Sequence, residues 1–260
     1  MGLPGARRRP ALKYFLANWK MYPTVDEARE RLEAMQAGLA ERAESGAALP
    51  RVIVCPPFVA LAPLVAVADD RFVRLGAQNC HWEAEGPHTG EVSARMLRGL
   101  VEYVMVGHSE RRGAGETDED VARKVAAVVE NGLTPIVFVG EDEQGDEAVG
   151  VTEQRLRRGL SAVDVGAHAV LVVYEPAWAI GAEHAAPADH VRRVVEHVKG
   201  VLADLGARQP EVLYGGTVAD ENVDEFAALD VLDGMGATRA SLEPESFLRI
   251  VDRMTRGMAA

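Results

Sequence analysis

Three residues that end or follow short apolar segments have the side chains needed to move a proton beside a carbonyl group. They are Lys20, His108 and Glu175. A glutamate can act as the base while an imidazole polarises the carbonyl oxygen. A lysine in the same pocket would stabilise the negative charge of an enediolate and would attract an anionic substrate. Buried strands rarely end in Lys, His or Glu unless a functional site uses them, so we interpret all three as candidate catalytic residues.

Two glycine-rich segments end later apolar runs and offer backbone N–H groups to a ligand. LYGG (213–216) and DGMGA (233–237) carry little side-chain bulk, which lets a ligand approach the backbone closely. Backbone N–H groups in such positions bind phosphate. The residues therefore indicate a proton-transfer isomerase that acts on a small phosphorylated carbonyl compound.

Strands must position these groups, and the chain has eight short apolar runs that read as strands. Near-continuous apolar runs are typical of strands buried on both faces of a parallel sheet. The predicted strands cover residues 14–18, 51–55, 72–79, 102–107, 134–140, 169–175, 211–216 and 231–237. A helical pattern follows each strand, with start signals at Thr24, Thr117 and Pro187. The predicted helices cover residues 24–42, 57–68, 93–100, 117–130, 152–162, 187–202, 219–228 and 243–253.

Eight strands that are each followed by a helix predict an α/β protein with a single-domain (β/α)₈ barrel. No linker divides the chain, so we assign residues 12–260 to the barrel and residues 1–11 to a loose N-terminal extension. A doubly wound open sheet is the alternative, but no GxGxxG motif follows the first strand. In a (β/α)₈ barrel the active site forms at the carboxyl ends of the strands, where the candidate residues stand.

The composition narrows the class of protein and of partner. The chain has 260 residues, of which 48% are hydrophobic and 26% are charged, and its formal net charge is −12. This charge argues against nucleic acid or an anionic membrane as a partner. Cys55 and Cys80 are the only cysteines, too few for a disulfide framework. We expect a cytoplasmic protein with no secretory signal and no membrane span.

Eight motifs, in order and at family spacing from residue 13 onward, resemble the triosephosphate isomerase family. They are NWKM (18–21), GAQN (76–79), TGE (89–91), GHSERR (107–112), GETDED (115–120), TPIVFVGE (134–141), YEPAWAIG (174–181) and LYGGTV (213–218). Any one motif alone would be weak, but the combination is specific. The resemblance implies a TIM barrel that interconverts dihydroxyacetone phosphate and D-glyceraldehyde 3-phosphate through an enediolate, with no cofactor and no metal.

The resemblance also implies roles for single residues, since this family is a standard example of acid–base tuning in a barrel. Glu175 would be the base, and His108 the electrophile, kept neutral by the helix N-terminus that follows it. Lys20, with Asn18 beside it, would stabilise the negative charge of the enediolate. Glu110 would hold the catalytic residues in place without contacting the substrate.

Further expectations concern the lid, the phosphate and the assembly. Residues 176–184 resemble the family's lid, which closes over the substrate and excludes water. The N–H groups of Gly181 and Thr217 would hold the phosphate. A homodimer is implied as well, although Gly113-Ala114 is one residue shorter than the family pattern and lacks its Phe, and Tyr22 replaces an Asn.

The largest departure is in DGMGATRASL (233–242), where Thr238 and Arg239 replace two glycines of the family's phosphate turn. Three explanations stay open. In the first, both residues donate backbone N–H groups while the arginine side chain faces solvent. Alternatively, the guanidinium binds a phosphate or another substrate oxygen, which would favour a longer sugar phosphate such as L-erythrulose 1-phosphate. In the third, the site is damaged and the barrel is a weakly active or non-catalytic phosphate-binding protein.

Overall fold

A closed barrel of eight parallel strands forms the centre of the molecule. The structure is a computed structural model that describes residues 14–182 and 184–255. Each strand pairs with the next one along the chain, and the eighth pairs with the first. An open sheet would leave two unpaired edges, so the doubly wound alternative is wrong and the (β/α)₈ barrel is confirmed. The predicted extension 1–11 lies outside the described residues.

The eight strands lie where the apolar runs predict them; the first two have the predicted bounds, and the other six are shorter than predicted. They are β1 (Tyr14–Asn18), β2 (Arg51–Cys55), β3 (Val73–Ala77), β4 (Tyr103–Val106), β5 (Thr134–Val139), β6 (Leu171–Tyr174), β7 (Glu211–Tyr214) and β8 (Gly234–Ala237). The apolar pattern continues past the last paired residue because the chain remains buried where it enters the following loop.

Ten α-helices and one 3₁₀ turn surround the barrel within the part of the chain that the structure describes. The α-helices are α1 (Val25–Glu44), α2 (Phe58–Val65), α3 (Ala94–Leu97), α4 (Ser109–Gly113), α5 (Asp118–Glu130), α6 (Ala148–Gly159), α7 (Ala188–Asp204), α8 (Val223–Ala227), α9 (Arg239–Leu242) and α10 (Pro244–Thr255). The 3₁₀ turn is Ala177–Ala179. The helix that the resemblance implied after His108 is α4, whereas α9 and the 3₁₀ turn were not predicted, because segments this short carry no apolar period. Among the described residues, no helix is both long and apolar enough to cross a bilayer.

The two predicted threonine caps form as expected. The Thr24 hydroxyl accepts from the N–H of Glu27, and the Glu27 carboxylate accepts from the N–H of Thr24 at 2.7 Å. Thr117 and Asp120 make the same reciprocal pair at the start of α5. Such caps each contribute about 1 kcal/mol and define where a helix begins.

The core has two layers that follow from the alternation of side chains along each strand. The inner layer fills the barrel and includes Leu16, Met105 and Phe138. The outer layer lies between strands and helices, where Trp19 and Phe247 are fully buried. Because side chains fill the barrel, open space for a ligand is found at the carboxyl ends of the strands.

Candidate active site

A cavity of about 400 Å³ opens at the carboxyl ends of the strands. It brings together residues that are distant in sequence, from the loop after β1 to the start of α9. All nine candidate site residues line it: Asn18, Lys20, His108, Glu110, Glu175, Gly181, Thr217, Thr238 and Arg239. The structure therefore brings the nine candidate residues together around one cavity.

The carboxylate of Glu175 lies against the imidazole of His108. Glu175 Oε1 is 3.0 Å from His108 Nε2, and Glu175 Oε2 accepts from the backbone N–H of Ser109 at 2.7 Å. The Glu175 and His108 side chains are 3% and 7% exposed. Burial at this level strengthens each hydrogen bond to the carboxylate. The pair is therefore held in a defined geometry at the cavity wall.

The position of the ring proton of His108 follows from its second hydrogen bond. His108 caps α4, and its Nδ1 accepts from the backbone N–H of Glu110 at 3.2 Å. An acceptor nitrogen carries no proton, so we assign the proton of the neutral ring to Nε2. The ring of Phe138, with its centroid 5.0 Å away, packs against the imidazole. His108 thus presents an N–H donor toward Glu175 and the cavity.

Lys20 has an unusual backbone conformation. Its φ is +46°, and it is the only non-glycine residue with positive φ in the described part of the chain. The backbone N–H of Lys20 donates to Asn18 Oδ1 at 3.0 Å, and its carbonyl accepts from Gln78 Nε2 at 2.8 Å. Strained backbone of this kind is retained where surrounding contacts hold it in place. Its Nζ lies 2.6 Å from Glu110 Oε1, which directs the ammonium group along the cavity.

Gln78 connects the ends of the first three strands by hydrogen bonds, a role that the sequence did not reveal. Its side-chain amide donates to the carbonyl of Lys20 and also to the carbonyl of Cys55 at 2.9 Å. The GAQN motif marked this residue, but only the structure shows that it connects the loop after β3 to the ends of β1 and β2.

Glu141 anchors the lid and was not predicted to have a role. This buried carboxylate accepts hydrogen bonds at 2.9 Å from the hydroxyl of Tyr174 and from the indole N–H of Trp178, and His190 contacts the same oxygen. Burial, followed by the nearby Glu141 charge, raises the pKa of Tyr174 well above its usual value. The hydroxyl therefore stays protonated and remains a donor. Trp178 anchors the lid by packing and by this bond.

The far end of the cavity is lined by backbone. Gly181 has a φ of +67°, a conformation that favours glycine. The Thr217 hydroxyl donates to the carbonyl of Ala179 at 2.8 Å, which leaves its N–H as the group available to a ligand. The N–H groups of Gly181, Thr217, Thr238 and Arg239 donate to no other residue in the described part of the chain.

The turn after β8 accommodates Thr238 and Arg239 without positive φ at either residue. Thr238 has φ −101° and ψ −75°, and α9 begins at Arg239. Neither residue has positive φ, so this backbone does not require glycine. Arg239 is exposed and lines the cavity, and no carboxylate within the described residues pairs with it.

Comparison with known proteins agrees with the geometry. The triosephosphate isomerase family model matches residues 13–254. The chain belongs to this family. Curated relatives named triosephosphate isomerase include those of Trichodesmium erythraeum, 42% identical over 90% of this chain and 96% of the relative, and Synechocystis sp., 41% identical over the same shares. That of Moorella thermoacetica is 39% identical over 94% of this chain and 98% of the relative. The resemblance inferred from the eight motifs is confirmed.

The described residues contain no cluster of metal-binding side chains. Within residues 14–182 and 184–255, no three His, Cys, Asp or Glu side chains lie close enough together to bind a metal ion. The rings of His81 and His88 contact each other with their centroids 4.1 Å apart and their planes tilted by 31°. The expectation that the protein uses neither metal nor cofactor stays a prediction.

Substitution of Gly140 tests how strongly the position of Glu175 depends on close backbone packing between β5 and β6. A β-carbon at position 140 would overlap the carbonyl oxygen of Glu175. We expect Gly140→Ala to destabilise the protein by about 1–3 kcal/mol. We also expect it to lower kcat on the order of 10²-fold because the displaced segment carries the base. Thermal denaturation and steady-state kinetics measure both effects.

The matched control for this substitution is Gly150→Ala. Gly150 lies inside α6, and beyond its own helix no atom comes within 4 Å of the place that an alanine methyl group would take. Alanine is preferred over glycine in a helix by about 1 kcal/mol, so stability should rise slightly and kcat should not change. Equal kcat in the two variants would contradict the packing argument for Gly140.

Proposed function

We propose that the protein interconverts dihydroxyacetone phosphate and D-glyceraldehyde 3-phosphate, and that Glu175, His108 and Lys20 carry out the reaction. The observation that carries this proposal is the 3.0 Å contact between His108 Nε2 and Glu175 Oε1 in a cavity that Lys20 also lines. The family membership supports an isomerase, and the three side chains supply the base, the electrophile and the cation that the reaction needs.

The reaction moves one proton between adjacent carbons and a second proton between the two oxygens that those carbons carry. The Glu175 carboxylate removes the proton beside the carbonyl group, while His108 Nε2–H donates to the carbonyl oxygen. Lys20 stabilises the enediolate, and Glu110, 2.6 Å from Lys20 Nζ, orients the ammonium group. His108 passes the hydroxyl proton to the former carbonyl oxygen and Glu175 returns its proton to the neighbouring carbon, so that the carbonyl and hydroxyl groups exchange places. To reach the substrate, Glu175 has to release its bond to the N–H of Ser109.

The phosphate of the substrate is held at the opposite end of the cavity. The unbonded N–H groups of Gly181, Thr217, Thr238 and Arg239 support this assignment, since convergent backbone donors suit a dianion. Asn18 contributes by holding the backbone of Lys20. Movement of the lid residues, which include Gly181, would bring one of these donors onto the phosphate and exclude water.

Steady-state isomerisation of two substrates tests the proposal. D-Glyceraldehyde 3-phosphate should be turned over faster than L-erythrulose 1-phosphate, because the turn after β8 keeps its backbone donors. Faster turnover of the tetrulose would assign the protein to the longer sugar phosphate. Saturable phosphate binding in calorimetry without turnover of either compound would identify a non-catalytic phosphate-binding barrel.

We propose that the protein is a homodimer through an exposed apolar face. Met21, Val59 and Met96 are 93%, 72% and 61% exposed. They follow β1, β2 and β3, which are neighbours in the barrel, so they lie on one side of the molecule. Large apolar side chains exposed together indicate a protein interface. The second copy of this chain is the partner that the family membership supports.

Light scattering after size-exclusion chromatography measures the assembly. We expect about twice the 28.0 kDa mass of a single chain. Val59→Glu combined with Met96→Glu should give a monomer, because burying unpaired carboxylates costs several kcal/mol. Ala203→Glu, at an exposed position of α7, should leave the dimer intact. A monomeric unsubstituted protein would contradict the proposal.

We also propose that the protein acts in the cytoplasm. Cys55 and Cys80 are both free and buried. Burial raises the pKa of Cys80 to about 12, so its thiol stays protonated at neutral pH. Unpaired thiols fit a reducing compartment, and fractionation of cells with an antibody to the protein would test this.

A further inference from the structure

We infer that the guanidinium group of Arg239, in addition to its backbone N–H, binds the phosphate dianion of the substrate and helps to determine which substrates the site accepts. This inference rests on the proposed function, because it takes the phosphate end of the cavity as given. It adds a side-chain cation to a phosphate site otherwise built from backbone.

The first argument is the balance of charge in the cavity. Its ionisable lining residues include Lys20, His108, Glu110, Glu175 and Arg239. Lys20 is paired with Glu110 at 2.6 Å, and His108 contacts Glu175 at 3.0 Å. Arg239 pairs with no carboxylate in the described part of the chain. It is therefore the one cation of this described lining whose charge no neighbour offsets.

The second argument is the position of Arg239 in the turn. It is the first residue of α9 and directly follows Thr238, and both residues have N–H groups that bond to no other described residue. A phosphate held by these N–H groups would lie next to the Cα atom of Arg239. From there, the planar guanidinium fork can donate two parallel hydrogen bonds to phosphate oxygens.

The third argument concerns what the unpaired charge of Arg239 does for substrate binding and what it costs in protein stability. The whole chain has a formal net charge of −12, which repels a phosphate dianion at long range. An unpaired cation at the cavity raises the local concentration of the dianion. Because Arg239 is exposed, it stays hydrated without substrate, and the free protein tolerates it with little loss of stability.

The test compares Arg239→Gln with Arg208→Gln. Both substitutions remove one exposed arginine, but Arg208 lies between α7 and β7 at the amino ends of the strands. We expect Arg239→Gln to raise both the Kd of inorganic phosphate, measured by calorimetry, and the KM for D-glyceraldehyde 3-phosphate by about tenfold. Arg208→Gln should change neither. Arg239→Lys, which keeps the charge but not the fork, should fall between them.

The outcomes separate this inference from the proposed function. If Arg239→Gln and Arg208→Gln have the same KM and the same phosphate Kd, the side chain faces solvent and the inference is overturned, while the isomerase remains. If the unsubstituted protein binds phosphate through Arg239 but turns over no triose phosphate, the proposed function fails and the phosphate contact stands. Thermal denaturation of each variant confirms that the fold is unchanged.

Discussion

Replacing Glu175 with Gln should lower kcat for D-glyceraldehyde 3-phosphate by roughly 10²- to 10⁴-fold. The substitution keeps the shape of the side chain and removes its ability to accept a proton from carbon. The KM should change little, because the phosphate donors and Lys20 are untouched. Initial rates over a range of substrate concentrations give both quantities.

The expected effect on folding is much smaller. A carboxylate accepts from both Ser109 N–H and His108 Nε2–H, whereas an amide has only one acceptor oxygen. One of the two donors therefore loses its bond, which costs about 1–3 kcal/mol. The protein should still fold, as circular dichroism and thermal denaturation will show.

The matched control for Glu175→Gln is Glu33→Gln. Glu33 is exposed on α1, so its substitution should leave kcat unchanged. Because the two variants are purified in parallel, the residual activity of Glu175→Gln sets an upper limit on contaminating isomerase from the expression host in both preparations. Activity of Glu175→Gln near that of Glu33→Gln would show that Glu175 is not the base.

Replacing Lys20 with Met should lower kcat/KM by about 10²- to 10³-fold. The ammonium group both attracts the anionic substrate and stabilises the enediolate, so we expect KM to rise and kcat to fall. Stability should change little, because Glu110, the partner of Lys20, is 56% exposed and can be hydrated. Steady-state kinetics at two salt concentrations should show a weaker salt dependence in the variant.

Lys199 provides the control for Lys20. Both ammonium groups lie 2.6 Å from a carboxylate, but Lys199 pairs with Asp233, which precedes β8 at the opposite end of the barrel. Lys199→Met therefore removes a similar ion pair without touching the cavity. If the two variants have the same kcat/KM, the loss reflects general electrostatics and Lys20 has no specific role.

The barrel and the location of the site could be predicted because their signals are local. Each barrel strand lies in a largely apolar run, and the capping residues Thr24 and Thr117 mark helix starts because their hydroxyls accept from backbone N–H groups. A parallel barrel places every strand's carboxyl end on one face, so Lys20, His108 and Glu175 had to converge. Knowing the residues at the strand ends was sufficient to find the cavity.

The parts that could not be predicted depend on contacts between distant segments. Glu141 accepts from Tyr174 and Trp178, which lie 33 and 37 residues later in the chain. Gln78 reaches a carbonyl 58 residues earlier. The apolar pattern and the capping signals contain no information about such partners, and α4 and α9 are too short to show a helical period.

The turn after β8 illustrates a second limit. The family pattern has two glycines where this chain has Thr238 and Arg239, yet neither residue has positive φ, and α9 begins at Arg239. A residue type constrains the backbone only if the backbone visits a restricted region. The sequence could not show which region this turn adopts.

The double hydrogen bond from Gln78 makes the two walls of the cavity mechanically unequal. One side-chain amide connects the loops and strand ends around Lys20 and Cys55, so that wall should behave as a stiff unit. The opposite wall contains the lid, where the N–H of Ala177 and the indole N–H of Trp178 donate to Glu141, and the carbonyl of Ala179 accepts from Thr217. These contacts hold the first part of the lid, so we expect closure to move the part around Gly181 toward the wall that Gln78 holds in place.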